Sequence, residues 1–185
     1  MKNLGFLLLA ALSAPFAFAD TYQIDPTHTN IMVKAGHIGV SKIYVMFRQM
    51  QGQFEKAGDQ VSAIRMEVKA DSLFSNNSQR DTHLKSPDFL NVVQYPTIDF
   101  VSSSVALIEA GKYEIDGTIT LHGVSKPVRL IMEVLGEVQH PQFGDRIGLE
   151  GSLKVKRSDF GMNDVMHLAD DEIEILINIE AFKIS

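Results

Sequence analysis

The chain of 185 residues contains no cysteine and no tryptophan. Without thiols it can hold no zinc–thiolate site, iron–sulfur cluster, disulfide scaffold or thiol nucleophile. A basic excess is missing too, since 17 Lys+Arg face 23 Asp+Glu for a formal charge of −6. That balance excludes a nucleic-acid partner, whose backbone is bound chiefly through cationic contacts to phosphate. There is no G-x-S-x-G elbow, no S-x-x-K motif, no phosphate loop and no dinucleotide fingerprint, the arrangements that seat a serine nucleophile or cradle a cofactor. The six histidines, His28, His37, His83, His122, His140 and His167, form no H-x-H, H-x-x-x-H or H-E-x-x-H spacing. The sequence therefore assigns no catalytic residue, no metal and no cofactor.

What is present begins with an address. Met1-Lys2-Asn3 is followed by the apolar stretch Leu4 to Leu12 and by Ala17-Phe18-Ala19. A basic start, a short apolar run and an A-x-A end are the marks of a secretory signal peptide over residues 1–19, cleaved after Ala19. The run is shorter than the roughly 20 apolar residues a membrane span requires, so the mature chain is expected to have no transmembrane segment. Loss of Lys2 takes the formal charge from −6 to −7. Residues 20–185 are read as one exported domain, and 45% hydrophobic residues suit a packed core rather than a disordered chain.

Within that domain the apolar residues alternate with polar ones. Tyr113, Ile115, Ile119 and Leu121 are separated by Glu114, Asp116, Thr118 and Thr120 over 112–122. The same period recurs over 146–156, with Ile147, Leu149, Leu153 and Val155, and over 171–182, with Ile173, Ile175, Ile177 and Ile179. Period two means a sheet with one dry and one wet face, usually antiparallel. Further strands are read over 22–24, 30–37, 42–55, 61–70, 97–107 and 128–138, with turns at Gly111-Lys112 and His122-Gly123. Eight or nine strands, most of them long, favour a barrel. The interruption is 71–96. Ser78-Gln79-Arg80-Asp81 resembles a capping box, and Ser86-Pro87 predicts a second short helix over 87–91.

Two features bear on function before any family is considered. Asp25-Pro26-Thr27-His28 reads either as an acid–base pair or, by preference, as an Asx-Pro turn. Seven methionines beyond Met1 are flexible, polarizable side chains that fill core gaps or mould a cavity around an oily guest. About eight strands enclose an interior that is either filled by side chains or holds one ligand.

The motifs themselves resemble a known family. Tyr22-Gln23-Ile24-Asp25 with His28, Lys34-Ala35-Gly36-His37-Ile38-Gly39-Val40 and Arg80-Asp81-Thr82-His83-Leu84 come first. Ser86-Pro87-Asp88-Phe89-Leu90, Tyr95-Pro96-Thr97-Ile98-Asp99-Phe100 and Thr120-Leu121-His122-Gly123-Val124 with Pro127-Val128 follow, and Arg157-Ser158-Asp159-Phe160-Gly161-Met162 closes the series. In this order they resemble the YceI-like family of bacterial lipocalin-like, polyisoprenoid-binding periplasmic proteins. The G-x-W motif of ordinary lipocalins is absent, and Ile43-Tyr44-Val45-Met46-Phe47 is more apolar than the family pattern. That segment either enlarges an oily lining or leaves an exposed patch.

The resemblance implies an all-β fold, an eight-stranded antiparallel lipocalin-like barrel with a short helical segment near one end. It also implies a long isoprenoid tail in the lumen, with an isoprenoid quinone or a polyprenyl phosphate as guest. On that reading the dry faces supply the lining: Ile64, Met66, Val68, Ile98, Phe100, Ile115, Ile119, Leu130, Met132, Leu149, Leu153, Ile175 and Ile177. Arg80, Asp81, His83, Arg157 and Asp159 sit in the family motifs and are the candidates for a polar head. Salt-bridge or capping roles are the alternative for each. The expected function is a periplasmic carrier or sequestering protein. The rivals are an envelope enzyme using Asp25, His28 or His83, and a regulatory interaction module.

Overall fold

The computed structural model describes residues 19–162 and 168–185. The leader expected over 1–19 lies outside the described residues except for Ala19, as do Met166 and His167. Among the described residues, eleven strands form one antiparallel sheet. They are β1 (Asp20–Ile24), β2 (Asn30–His37), β3 (Ser41–Phe47), β4 (Met50–Ala57), β5 (Gln60–Lys69) and β6 (Leu73–Phe74), then β7 (Thr97–Glu109), β8 (Lys112–Leu121), β9 (Val124–His140), β10 (Gly144–Lys156) and β11 (Ala169–Lys183). One α-helix, α1 (Ser78–Lys85), and two short 3₁₀ turns at Ala70–Ser72 and Arg157–Phe160 complete the described chain.

Eight strands close a ring in the order β1-β4-β5-β7-β8-β9-β10-β11, and β11 returns to β1. The other three, β2, β3 and β6, continue the sheet from β11. β1 and β2 behave as one interrupted strand along β11, for Ile24 lies opposite Ala181 and Asn30 opposite Asn178. Closure removes the free edges of the ring itself, and the extension stays open along β3, where β6 pairs only with Met46 and Phe47.

The period-two pattern decides which face is inside. Along β8 the side chains of Tyr113, Ile115, Ile119 and Leu121 are buried, whereas Thr118 is exposed. β10 and β11 follow the same rule with Ile147, Leu149, Leu153 and Val155, and with Ile173 and Ile175. The opposite face is wet and carries cross-strand ion pairs, Lys34–Glu174 at 2.8 Å, Lys154–Glu172 at 2.9 Å and Arg129–Asp116 at 2.7 Å. The dry face therefore lies inside.

Several sequence-based expectations need correction. The strand read over 42–55 is two, β3 and β4, broken at Arg48-Gln49. There the backbone N–H groups of Arg48 and Gln49 turn away to the Ser72 hydroxyl at 3.2 and 3.1 Å. The two-residue β6 had no pattern of its own and exists by pairing with Met46 and Phe47. The N-cap of α1 is Asn77, whose side chain accepts from Arg80 N, and not Ser78. Asp81 makes no capping box, since its carboxylate accepts from Ser75 N at 2.9 Å. The second helix over 87–91 does not form. Ser86 is the C-cap of α1, and the N–H groups of Leu90 and Val92 return to the carbonyls of Leu84 and Lys85 at 3.0 and 3.2 Å. Those donors satisfy carbonyls orphaned at the end of α1 instead of building a new helix.

Candidate functional site: an apolar lumen

The ring encloses a cavity of about 580 Å³, within the range of about 300–1,000 Å³ usual for small-molecule sites. All thirteen apolar residues of the expected lining face it: Ile64, Met66, Val68, Ile98, Phe100, Ile115, Ile119, Leu130, Met132, Leu149, Leu153, Ile175 and Ile177. Further walls come from residues the sequence reading did not select. Ile31, Val33 and Ala35 of β2, Ile43, Val45 and Phe47 of β3, and Ile173 and Ile179 of β11 are among them. For β2 and β3 the signal was the same alternation in weaker patterns, and Ile173 and Ile179 belong to the clear alternation of 171–182. Leu84, Phe89 and Leu90, from α1 and the chain after it, had no periodic signal. The apolar segment of β3 does both things open to it, since Ile43, Val45 and Phe47 face the lumen while Tyr44 is exposed on the outer face.

A hollow rather than solid interior is helped by three lumen-facing glycines. The spaces that side chains would fill at Gly52 and Gly117 are occupied by Ile24 and Phe100, and that at Gly151 by the Ile131 carbonyl together with Met132. Large side chains thus press against bare backbone at the wall and leave the axis clear. One end is plugged by buried Tyr22, Phe54, Ile147 and Ala181, with the rings of Tyr22 and Phe54 stacked at 5.4 Å. Tyr113 nearby is buried and donates its hydroxyl proton to the Asp59 carbonyl at 3.0 Å.

Polar lining gathers at the other end, around α1, β2 and the Arg157–Phe160 turn. Asn77, Gln79, Arg80, His83, His37 and Arg157 face the lumen there. Arg157 is buried and is held by backbone carbonyls, its Nε donating to Asp170 O at 2.9 Å and a terminal nitrogen to Ala169 O at 3.0 Å. It clamps the start of β11 to the end of β10. Arg80 donates Nε to the Ser75 hydroxyl at 2.8 Å. His83 lies 3.5 Å from the Asp88 carboxylate and edge-on to Phe89 at 4.9 Å. Of the five candidates for a polar head, then, Arg80, His83 and Arg157 line the lumen. Asp81 and Asp159 do not: Asp81 anchors Ser75, and Asp159 is exposed. The mouth presents donors rather than acids, with Asp99 as the one lining carboxylate among the described residues.

The Asp25-Pro26-Thr27-His28 segment is elsewhere. It is the turn between β1 and β2, and neither Asp25 nor His28 lines the lumen with His83. Asp25 is buried, accepts from Thr27 N at 3.0 Å and from the Thr27 hydroxyl at 2.6 Å, and meets Arg146 at 2.9 Å. The Thr27 hydroxyl, then His28 and Arg146, hold its carboxyl well below the usual carboxylate range, while the Asp25 hydrogen bond raises His28. Asp25, His28 and Glu180 bring ligand atoms within 4.8 Å of one another. Arg146 bonds to both carboxylates, to Glu180 at 2.5 Å, and so supplies the positive charge a cation would bring. His122, read as a turn residue, has φ 52° and bonds through Nδ1 to Phe160 O at 2.9 Å.

A closed antiparallel ring with extra strands, one short helix and an apolar lumen open beside polar groups defines a lipocalin-like ligand-binding barrel. The family model of the YceI-like domain matches residues 22–181, and the chain belongs to the YceI-like family. It is 36% identical over 188 residues to a UPF0312 protein of Azotobacter vinelandii, covering 98% of each chain. Among solved structures, a YCEI protein of Campylobacter jejuni is 26% identical with a TM-score of 0.72, covering 81% of this chain and 90% of that one. A polyisoprenoid binding domain from Saccharophagus degradans shares the fold at 12% identity and a TM-score of 0.67, covering 88% of this chain and 98% of that one.

Proposed function

We propose that this protein is an exported carrier that holds one long isoprenoid lipid, a quinone or a polyprenyl phosphate, with its tail in the lumen. The observation that carries the reading is a cavity of about 580 Å³ walled by aliphatic side chains, with polar side chains drawn to one end. A tail that buries on the order of 500 Å² gains roughly 12 kcal/mol gross at the usual apolar coefficient. Ordering the flexible tail and losing its free motion subtract much of that. Tail burial is nevertheless the dominant favourable contribution, and Arg80 and His83 at the mouth meet the oxygen atoms of the head. The polyisoprenoid binding of the Saccharophagus degradans domain and the leader-like residues 1–19 support a lipid guest and a periplasmic site of action. No role in turnover is assigned to Asp25 or His28, since the Asp25 carboxylate is engaged by Thr27, His28 Nδ1 and Arg146 and neither residue lines the lumen.

The reading is tested by purifying untagged protein from the periplasm of its native host, extracting it with organic solvent and analysing the extract by mass spectrometry. One isoprenoid per chain is expected. An extract containing only straight-chain fatty acids or phospholipid at stoichiometric amounts refutes the isoprenoid assignment.

A further inference from the structure

β2 and β3 are joined by the three-residue loop 38–40, for His37 pairs with Ser41, and a turn within it is closed by the hydrogen bond from Val40 N to His37 O at 3.0 Å. The two residues inside that hydrogen bond are both left-handed, Ile38 at φ 45° and Gly39 at φ 74°, the φ pattern of a type I′ turn. The first of these positions suits Asn, Asp or Gly, and a β-branched residue there is a backbone outlier. Isoleucine gains no burial in return, for Ile38 is 56% exposed and Val40 78% exposed. Ile38 N also donates to Leu168 O at 3.0 Å, which brings a third apolar residue, 42% exposed, to the same tip. Leu168 and His37 line the lumen; Ile38 and Val40 do not. The tip is thus an oily projection beside the mouth, joined to the lumen wall by the residues on either side of it.

We propose that this tip is the foot on which the mouth rests against a lipid bilayer while the guest enters or leaves, an inference that rests on the lipid-carrier reading. A strained residue with its side chain in water points to a use outside the free molecule, and burial in the interfacial layer supplies one. The occupant must be attracted by apolar contact, because a mature chain of formal charge −7, that is −6 less Lys2, is repelled by an anionic bilayer. The opposite end makes the comparison. Leu135 at 55% and Phe143 at 55% are as exposed, but they lie on the β9–β10 hairpin at the plugged end, with no lumen-lining neighbour such as His37 or Leu168 beside a mouth.

The test is flotation of the full mature protein with phosphatidylcholine vesicles, at low and at high salt. Ile38→Asn with Val40→Ser is the informative variant, since Asn-Gly is the pair a type I′ turn prefers and the fold is kept. Wild type should float in both salts, and the double variant should associate on the order of tenfold more weakly, a difference of about 1.4 kcal/mol. Its melting temperature should be no lower, and its uptake of an isoprenoid quinone from detergent solution should be unchanged. Leu135→Ser should float as wild type does. A wild-type protein that stays in solution, a double variant that floats equally well, or an equal loss in Leu135→Ser overturns the proposal. Protein that floats but yields no isoprenoid on extraction refutes the carrier reading and leaves the docking surface standing.

Discussion

Phe100 of β7 packs against the bare Cα of Gly117 on β8, filling the space where a β-carbon would stand. Both residues face the inside of the ring, and Phe100 lines the cavity. The pair trades a side chain on one strand for room on the next, so the ring lies against the wall and not across the axis. Gly52 with Ile24 repeats the arrangement on β4, and at Gly151 of β10 Met132 shares the space with the Ile131 carbonyl.

Gly117→Val should therefore drive the Phe100 ring into the lumen. Overpacking of this kind costs about 1–3 kcal/mol, read as a lower urea midpoint, and the amount of co-purified lipid should fall with it. Adding Phe100→Ala to Gly117→Val removes the side-chain clash and should restore part of the lipid loading, while the close approach to the Val101 carbonyl remains. A Gly117→Val protein with undiminished lipid content would show that this wall does not bound the guest.

Acid stability should depend on Asp25. Its carboxyl is depressed by the Thr27 hydroxyl, with His28 and Arg146 adding to the effect. A depressed carboxyl stabilises the fold above its unfolded pKa of about 3.9, and the contribution is lost as pH falls toward the folded value. Asp25→Asn should cost about 1–3 kcal/mol at neutral pH, the range for a disrupted charged hydrogen bond. It should also flatten the loss of stability below about pH 4. His28 has the opposite sign, being raised by its hydrogen bond to Asp25. Its contribution is full below about pH 6.5 and fades as pH rises through the folded value, so His28→Gln should remove a small decline on the alkaline side. Urea unfolding across pH checks both, and parallel acid limbs for wild type and Asp25→Asn contradict the first.

Export carries its own check. Intact-mass measurement of the periplasmic fraction should find a chain beginning at Asp20, and a cytoplasmic product beginning at Met1 contradicts the leader reading.

The strands that were legible beforehand are those whose facing is set by burial alone. In β8, β10 and β11 strict alternation both announces the strand and marks its inner side, because a shift of one residue would turn every apolar side chain to water. The break at Arg48-Gln49 was not legible. Residues 42–55 read as one strand, and the partner that turns the chain, Ser72, is remote in sequence. β6 is a product of its pairing and has no local signature. The sequence also could not separate a hollow lumen from a filled core, since the same Ile, Leu and Met build either. That distinction rests on pairs such as Phe100 and Gly117, which meet only in the fold. Among the polar candidates the motif alone could not say that Arg80 turns inward while its neighbour Asp81 is drawn to Ser75.

The central claim is that the lipid lies inside the ring. Ile119 and Leu153 are buried on the inner face, while Thr118 and Ser152, one residue away, are exposed. An unpaired charge buried at an inner position costs several kcal/mol even after relaxation. The measurement is native mass spectrometry of lipid occupancy for Ile119→Asp, Leu153→Lys, Thr118→Lys and Ser152→Lys, each first shown by circular dichroism to be folded. The account predicts that the folded inner variants lose the lipid and the outer ones keep it at wild-type occupancy. Full occupancy in the inner variants together with loss in the outer ones would contradict it.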